Sequence, residues 1–335
     1  MHWLPFPDER ITVNGLAWWE ETRPNLWRLP ARLQAEVPPG VWTLAHSPSG
    51  GRLRFATDTT ALGLRLHYPS LAYMNNMPRV GQLGVDVWVD GEYWRPVYPT
   101  DSADLEAVCF ADLPPTRREI CLYLGLYGPV EVQAVGLSEG ASILPPAPFA
   151  RPRPVVYYGS SITQGGCASR AGMSYQAIVS RELNLDFINL GFSGAGRGEP
   201  ALARVVAEID AAAFVMDFCQ NCPTLEELAE RYGPFLQVIR DHHPETPLIL
   251  VTAIFATSEI WGDAARGLGM REIIRAAYRE RVAAGDQNIW LVEGTDLLGP
   301  GDRDGLLDHI HPNDIGFVSM ARGLAPVLRE ALGLK

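Results

Sequence analysis

The sequence predicts two domains of different class: an all-β sandwich or jelly roll over residues 1–148, and an α/β domain with a parallel sheet over residues 152–335. Three observations predict this. The first half carries short runs of alternating or β-branched character, broken by Pro and Gly. In the second half, strand-like runs alternate with helical stretches, the pattern of a parallel sheet covered on both faces. Between them the composition changes at "ILPPAPFARPRP", Ile143 to Pro154, where five prolines deny helix and central strand and mark a linker. A chain of 335 residues exceeds the usual single domain and suits two.

In the first domain, "GVWTLAHS", "GRLRFATD" and "ALGLRLHY" read as short strands. "VDVWVDGEYWRPVY" predicts a hairpin, because Asp90-Gly91 supplies the positive φ angles of a tight turn. "REICLYLGLYGPVEVQAVGL" predicts two further strands, and strands at this spacing suit a sandwich. In the second domain, strands are predicted at Val155–Gly159, Asp186–Leu190, Ala213–Phe218, Leu248–Ala253 and Ile289–Val292. "SYQAIVSREL", "TLEELAERYGPFLQVIRDHH" and "MREIIRAAYRERVAA" are helical between them, and a last helix runs from about Asp314 to Leu332.

Hydrophobic residues make up 47% of the chain and charged residues 20%, as in soluble globular proteins. No apolar run reaches the ~18 residues that span a bilayer. The start, "MHWLPFPDER", lacks the basic and apolar stretches of a signal peptide, so a cytoplasmic location is expected. A net charge of −11 without a basic cluster argues against a nucleic-acid partner. The five cysteines, Cys109, Cys121, Cys167, Cys219 and Cys222, are odd in number and scattered, which argues against a disulfide framework. "CQNC" has no second pair with which to hold zinc, and buried, unreactive thiols are the expectation there.

Chemistry concentrates in "VVYYGSSITQGG", Val155 to Gly166. In a doubly wound sheet, ligands bind at the carboxyl ends of strands, and Ser160 and Ser161 sit at that edge. Serine is also a favoured helix N-cap, and a hydroxyl becomes a nucleophile only when a base takes its proton. The candidate base lies in "LLDHIHPND", Leu306 to Asp314. There Asp308 can reach back to one imidazole nitrogen of His311 and leave the other facing the cleft, the job of the acid in a serine triad. Pro312 pushes His311 away from helical geometry, and Asn313 or Asp314 can begin the last helix. A metal reading exists as well, since Asp308, His309, His311 and Asp314 are all ligand types. A second acidic or histidine cluster at another strand end is missing from the sequence, which weakens that reading.

These residues carry a family resemblance. "YGSSITQGG" is similar to the first sequence block of the SGNH (GDSL-type) hydrolases, "NLGFSGAGRGEP" to the second, "VMDFCQNCP" to the third and "DHIHP" to the fifth. The resemblance implies a flavodoxin-like three-layer α/β/α domain with a five-stranded parallel sheet. It implies Ser161 as nucleophile, His311 as base and Asp308 as acid, with Ser161, Gly194 and Asn221 forming the oxyanion hole. Ser160 stands where the family usually has aspartate, and Cys219, Gln220 and Cys222 replace the usual neighbours of Asn221. "GVDVW", Gly84 to Trp88, resembles the GxDLY motif of the β-sandwich domain that precedes one branch of this superfamily.

The reaction this implies is acyl transfer from a short-chain ester, with no metal and no organic cofactor. Two other glycine-rich readings fail: "GSSITQGG" lacks the lysine of a P-loop, and "GFSGAGRG" lacks the dinucleotide-binding spacing. The expected substrate is a small-molecule ester, including acylated sugars, with water or an alcohol as acceptor; a catalytically inactive sugar-binding protein is the remaining alternative. Seven of nine tryptophans lie in the first half. They suit either sandwich core or a sugar-binding face, with Trp18 and Trp19 of "AWWEETRP" the best candidates for the latter. Arg197 and Glu199 follow the oxyanion loop and either touch substrate or pair with each other.

Overall fold

The computed structural model of the chain describes residues 1–262 and 264–334. Ten strands precede residue 150: β1 (His2–Pro5), β2 (Thr12–Asn14), β3 (Arg52–Thr57), β4 (Leu62–His67), β5 (Val85–Val89), β6 (Glu92–Val97), β7 (Asp104–Phe110), β8 (Arg118–Tyr123), β9 (Glu131–Leu137) and β10 (Ile143–Leu144). They form two antiparallel sheets, one in the order β1-β9-β4-β7 and one in the order β10-β3-β8-β5-β6, with β2 pairing β3. Alternate residues such as Leu53, Phe55, Leu64, Leu66, Val85, Val87, Ile120 and Leu122 meet between the sheets as one apolar core. The expected hairpin is β5–β6, and Asp90 and Gly91 take φ of 53° and 81° at its turn. β8 and β9 are both strands as expected, but they lie in different sheets.

One expectation fails. "GVWTLAHS" is helical over Pro39–Ala45. Pro39 occupies the first helical turn, where its missing N–H costs nothing. Val41 and Ala45, four apart, then share the buried face, a helical spacing that the short run had disguised as a strand.

The second half is a five-stranded parallel sheet, β11 (Val155–Gly159), β12 (Phe187–Gly191), β13 (Ala213–Asp217), β14 (Leu248–Val251) and β15 (Ile289–Val292). Its order is β12-β11-β13-β14-β15, the flavodoxin-like arrangement. One face, including Val156, Tyr158, Phe214 and Met216, packs against helices Pro200–Ala207, Leu225–His242 and Ala264–Ala283. The opposite face, including Val155, Tyr157 and Val215, packs against helices Tyr175–Leu183 and Asp314–Ala331. No helix among the described residues is long and apolar enough to cross a membrane.

The N-terminal half does more than precede this domain. Trp18, Leu29, Leu33, Val37, Val41 and Ala45 are part of the first α/β core, and Met77, Trp88, Tyr123 and Leu126 are part of the second. Buried polar contacts reinforce this packing. Arg28 donates to the carbonyls of Asn189 and Gly191, Ser49 Oγ donates to the carbonyl of Gln164, and Arg52 pairs with Asp186.

Candidate active site

The two adjacent serines divide two jobs. Gly159 ends β11, and a Cβ there would overlap Thr163 and the carbonyl of Asp217, so only glycine lets the chain turn this sharply against β13. Ser160 is fully buried and caps the following helical turn, its Oγ accepting the N–H of Ile162 at 3.2 Å. Ser161 opens that turn and directs its Oγ to His311, 2.8 Å from Nε2. Its own backbone N–H, the first of the turn, has no acceptor among the described residues, as expected of a helix start.

His311 is held from behind. Its Nδ1 lies 2.8 Å from Asp308 Oδ2, while Asp308 Oδ1 accepts the N–H groups of Ile310 and His311 at 2.9 and 2.8 Å. Burial alone would push the Asp308 carboxyl up, but those two N–H groups and the imidazole outweigh it and hold the group at about 2. An ionised Asp308 fixes the proton on Nδ1, so the lone pair of Nε2 faces the Ser161 hydroxyl. Asn313 then caps the last helix by accepting the N–H groups of Ile315 and Gly316.

β11 lies between β12 and β13, where successive connections leave in opposite directions, so Ser161 sits at the topological switch point. Gly194 follows β12 and Asn221 follows β13, and the two meet. Their bonding differs from a simple pair of oxyanion donors. Asn221 Nδ2 donates to the carbonyls of Phe192 and Gly196, and its Oδ1 accepts the Gly194 N–H at 3.2 Å. In this arrangement Asn221 ties the 192–196 loop together, and the donor left open is the N–H of Ser161.

Four further expectations concerned substrate contacts. Trp18 is a core residue instead: it is 6% exposed, and its Nε1 donates to Glu208. Trp19 packs on Phe6 against the sandwich core, away from the triad. Arg197 and Glu199 brace the loop after β12. Glu199 accepts the backbone N–H of Arg197, and the Arg197 guanidinium donates to the carbonyl of Gly194. The metal-ligand set read from "DHIHPND" is not gathered either: Asp314 binds the N–H and hydroxyl of Ser169, and His309 offers its carbonyl to Thr257. Instead Cys167 joins Asp308 and His311, with ligand atoms within 4.8 Å of one another. Burial pushes its thiol up to about 12, with the Asp308 charge adding to the effect, so it stands beside the dyad as a neutral group. Cys219 and Cys222 are free and buried.

Sequence reasoning missed three residues here. Tyr127, from the N-terminal domain, lies with its OH 3.3 Å from the carbonyl of Ser161. Asp86 of "GVDVW" is fully buried, and its Oδ2 accepts Arg170 at 2.8 Å and the N–H of Gly172 at 2.9 Å, anchoring the loop that carries Cys167. Asp217 lies beneath the nucleophile turn, accepting from Tyr175 and Thr163 through Oδ2, each at 3.1 Å. Burial raises the Asp217 carboxyl to about 7, against the hydrogen bonds of those two hydroxyls.

Asp217 carries a pH prediction. Its folded value lies above the ~3.9 of an unfolded aspartate, so the folded chain keeps a proton that the unfolded chain has lost between pH 4 and 7. Its contribution to stability therefore falls as pH rises through that window and stays low above it. Asp217→Asn, neutral throughout, is expected to gain on the wild type by on the order of 3 kcal/mol between pH 4.5 and pH 8. Urea unfolding at both pH values measures this, and a difference that stays constant with pH would contradict it.

Comparison with known proteins fits this geometry. Residues 152–329 match the profile of the GDSL-like lipase/acylhydrolase family, and residues 1–143 match the GxDLY N-terminus of SGNH hydrolase-type esterases. No curated protein sequence matches the chain. Among solved structures, a Bacteroides ovatus ATCC 8483 protein described as a GDSL-like lipase is 30% identical, with a TM-score of 0.90 over 100% of this chain and 98% of its own. A salicylyl-acyltransferase from a tetracycline biosynthetic pathway is 23% identical, with a TM-score of 0.84 over 97% of each chain. An acetyl xylan esterase from the rumen bacterium Butyrivibrio proteoclasticus shares the fold at 14% identity, with a TM-score of 0.69 over 100% of each chain. With its α/β half matched along nearly its whole length and its sandwich matched separately, the chain belongs to the GDSL-like lipase/acylhydrolase family, in the branch that carries a GxDLY-type N-terminal domain.

Proposed function

We propose that this chain is a serine esterase that cleaves short-chain acyl esters, acetyl esters of carbohydrates among them, through an acyl-enzyme on Ser161. The observation that carries this reading is the unbroken line Ser161 Oγ–His311 Nε2 and His311 Nδ1–Asp308, each step 2.8 Å. His311 takes the hydroxyl proton as Ser161 Oγ attacks the ester carbonyl, and Asp308 stabilises the imidazolium that forms. The oxyanion is met first by the Ser161 N–H. The Gly194 N–H joins when its bond to Asn221 Oδ1 opens to the incoming oxygen, with Asn221 still holding the loop. His311 then protonates the departing alcohol, and water attacks the acyl-enzyme.

A second reading, transfer of the acyl group to an alcohol, is favoured by the close likeness to a salicylyl-acyltransferase over almost the full length of both chains. The acetyl-sugar substrate draws support from the acetyl xylan esterase that shares the fold. One experiment separates the two. A panel of aryl esters and acetylated sugars is turned over with and without acceptor alcohols, and acid released is counted against ester transferred. Acid release that is indifferent to alcohol supports the hydrolase, and turnover that requires the alcohol supports the transferase. Failure to turn over any ester would overturn both.

The proposed steps use side chains and backbone groups alone. Exhaustive chelation is therefore expected to leave the ester turnover rate unchanged. Loss of activity with EDTA, restored by a divalent ion, would instead assign Cys167, Asp308 and His311 to a metal.

A further inference from the structure

A cavity of about 220 Å³ lies between the two domains, and the triad is not part of its wall. Its walls include Arg52, Arg54, Trp88 and Tyr123 of the sandwich, Phe149 of the linker and Arg181 of helix Tyr175–Leu183. Arg181 lies near the end of that helix, and Asp186, which Arg52 binds, immediately precedes β12. The cavity therefore sits toward the sheet edge opposite Ser161.

Three guanidinium groups converge here in a chain whose net charge is −11. Arg52 is 1% exposed and pairs with Asp186, yet its Nε and Nη1 have no acceptor. Arg181 Nη1 is buried without an acceptor as well. Neither Arg54 nor Arg181 pairs with a carboxylate among the described residues, and Glu119, also in the wall, accepts the N–H of Ala147. Asp186 is the one carboxylate that bonds to any of these three guanidinium groups among the described residues, and the surplus of half-buried positive charge makes the pocket a receptor for an anion.

The aromatic rings narrow the choice of anion. Arg181 lies over Trp88 at 4.0 Å, and Arg54 lies over Phe149 at 3.9 Å. Stacking covers the faces of these planar groups and turns their N–H edges to hydrogen bonding; Arg54 spends Nη2 on the carbonyl of Ala147 at 2.7 Å, while the Arg181 edge, with Nη1 unpartnered, suits a carboxylate. We propose that this cavity binds a small carboxylate with a flat apolar body, an aromatic monocarboxylate, with its charge between Arg54 and Arg181 and its body against Trp88, Tyr123 and Phe149. Because the walls come from both domains, such a ligand also clamps the sandwich to the α/β domain, and it raises the melting temperature with concentration.

The test is isothermal titration of benzoate into the full chain, alongside thermal melts. Expected is one saturable site, a rise in melting temperature, and binding unchanged in Ser161→Ala. Arg54→Met and Arg181→Met, both at half-buried positions, are each expected to weaken binding about tenfold or more. Their unliganded melts report that they fold. Benzyl alcohol, which lacks the charge, and inorganic phosphate, which lacks the flat body, are expected to bind more weakly than benzoate. The proposal is overturned by the absence of saturable binding, by binding that survives both arginine substitutions, by binding lost in Ser161→Ala, or by benzyl alcohol or phosphate matching benzoate.

Discussion

Ser161→Ala is expected to lower ester turnover by on the order of 10⁴–10⁶-fold, the usual loss when a serine nucleophile is removed from a triad. Ser160→Ala is expected to keep turnover within about tenfold, because Ser160 gives the turn a cap worth ~1 kcal/mol and no electron pair to the reaction. The contrast between neighbours is the informative part. Both serines lie at the same strand end, and only their partners, Ile162 N–H for one and His311 Nε2 for the other, distinguish them. Steady-state rates on an aryl acetate check the pair. Equal losses in both variants would mean that the turn itself, rather than the Ser161 hydroxyl, limits the reaction.

The second large effect is expected at a distance from the nucleophile. Asp86 is fully buried between the domains and gathers Arg170 and the N–H of Gly172. Asp86→Ala leaves that guanidinium and that N–H without their acceptor, a loss of about 3–5 kcal/mol for breaking one side of a buried pair. The melting temperature is expected to fall by roughly 10 °C. Turnover is expected to fall with it, since the 167–173 loop carries Cys167 beside Asp308 and His311. Asp86→Asn keeps an acceptor for Gly172 and is expected to lose less. A melt for Asp86→Ala within 2 °C of the wild type would show that the clamp contributes little.

The motif around Asp86 also shows how far the sequence could be read. Gly84 needs to be glycine because any Cβ there would overlap the carbonyl of Val80, and a Cβ on Gly172 would lie only 3.0 Å from both Asp86 Oδ2 and Trp88 Nε1, a tight fit. The resemblance of "GVDVW" to a known motif was therefore visible, whereas the purpose of its aspartate was not, because Arg170 lies 84 positions away. The parallel sheet was legible strand by strand, since runs such as "AAFVMDF" have only one use in an alternating α/β pattern. The dyad was legible because three residues in one turn place Asp308 and His311 together. Tyr127 left no such trace, being 34 positions from Ser161 and unremarkable in its own segment.

"GVWTLAHS" reads as a strand only if residues 1–148 form a self-contained β-domain. The segment is a helix that packs against the α/β core, where Val41 and Ala45, with Trp18 of "AWWEETRP", meet Leu202, Val205 and Phe192 in one cluster. Hydrophobic pattern reports that a residue is buried, and it is silent on which domain does the burying.

In the proposed reaction Ser161 alone is the nucleophile and His311 activates it. Peptide mapping after reaction with a fluorophosphonate tests it most directly. One label per chain is expected, on Ser161, with labelling greatly slowed in His311→Ala and intact in Ser160→Ala. A label on Ser160 or on any other serine, or one that forms at full speed without His311, would overturn this assignment.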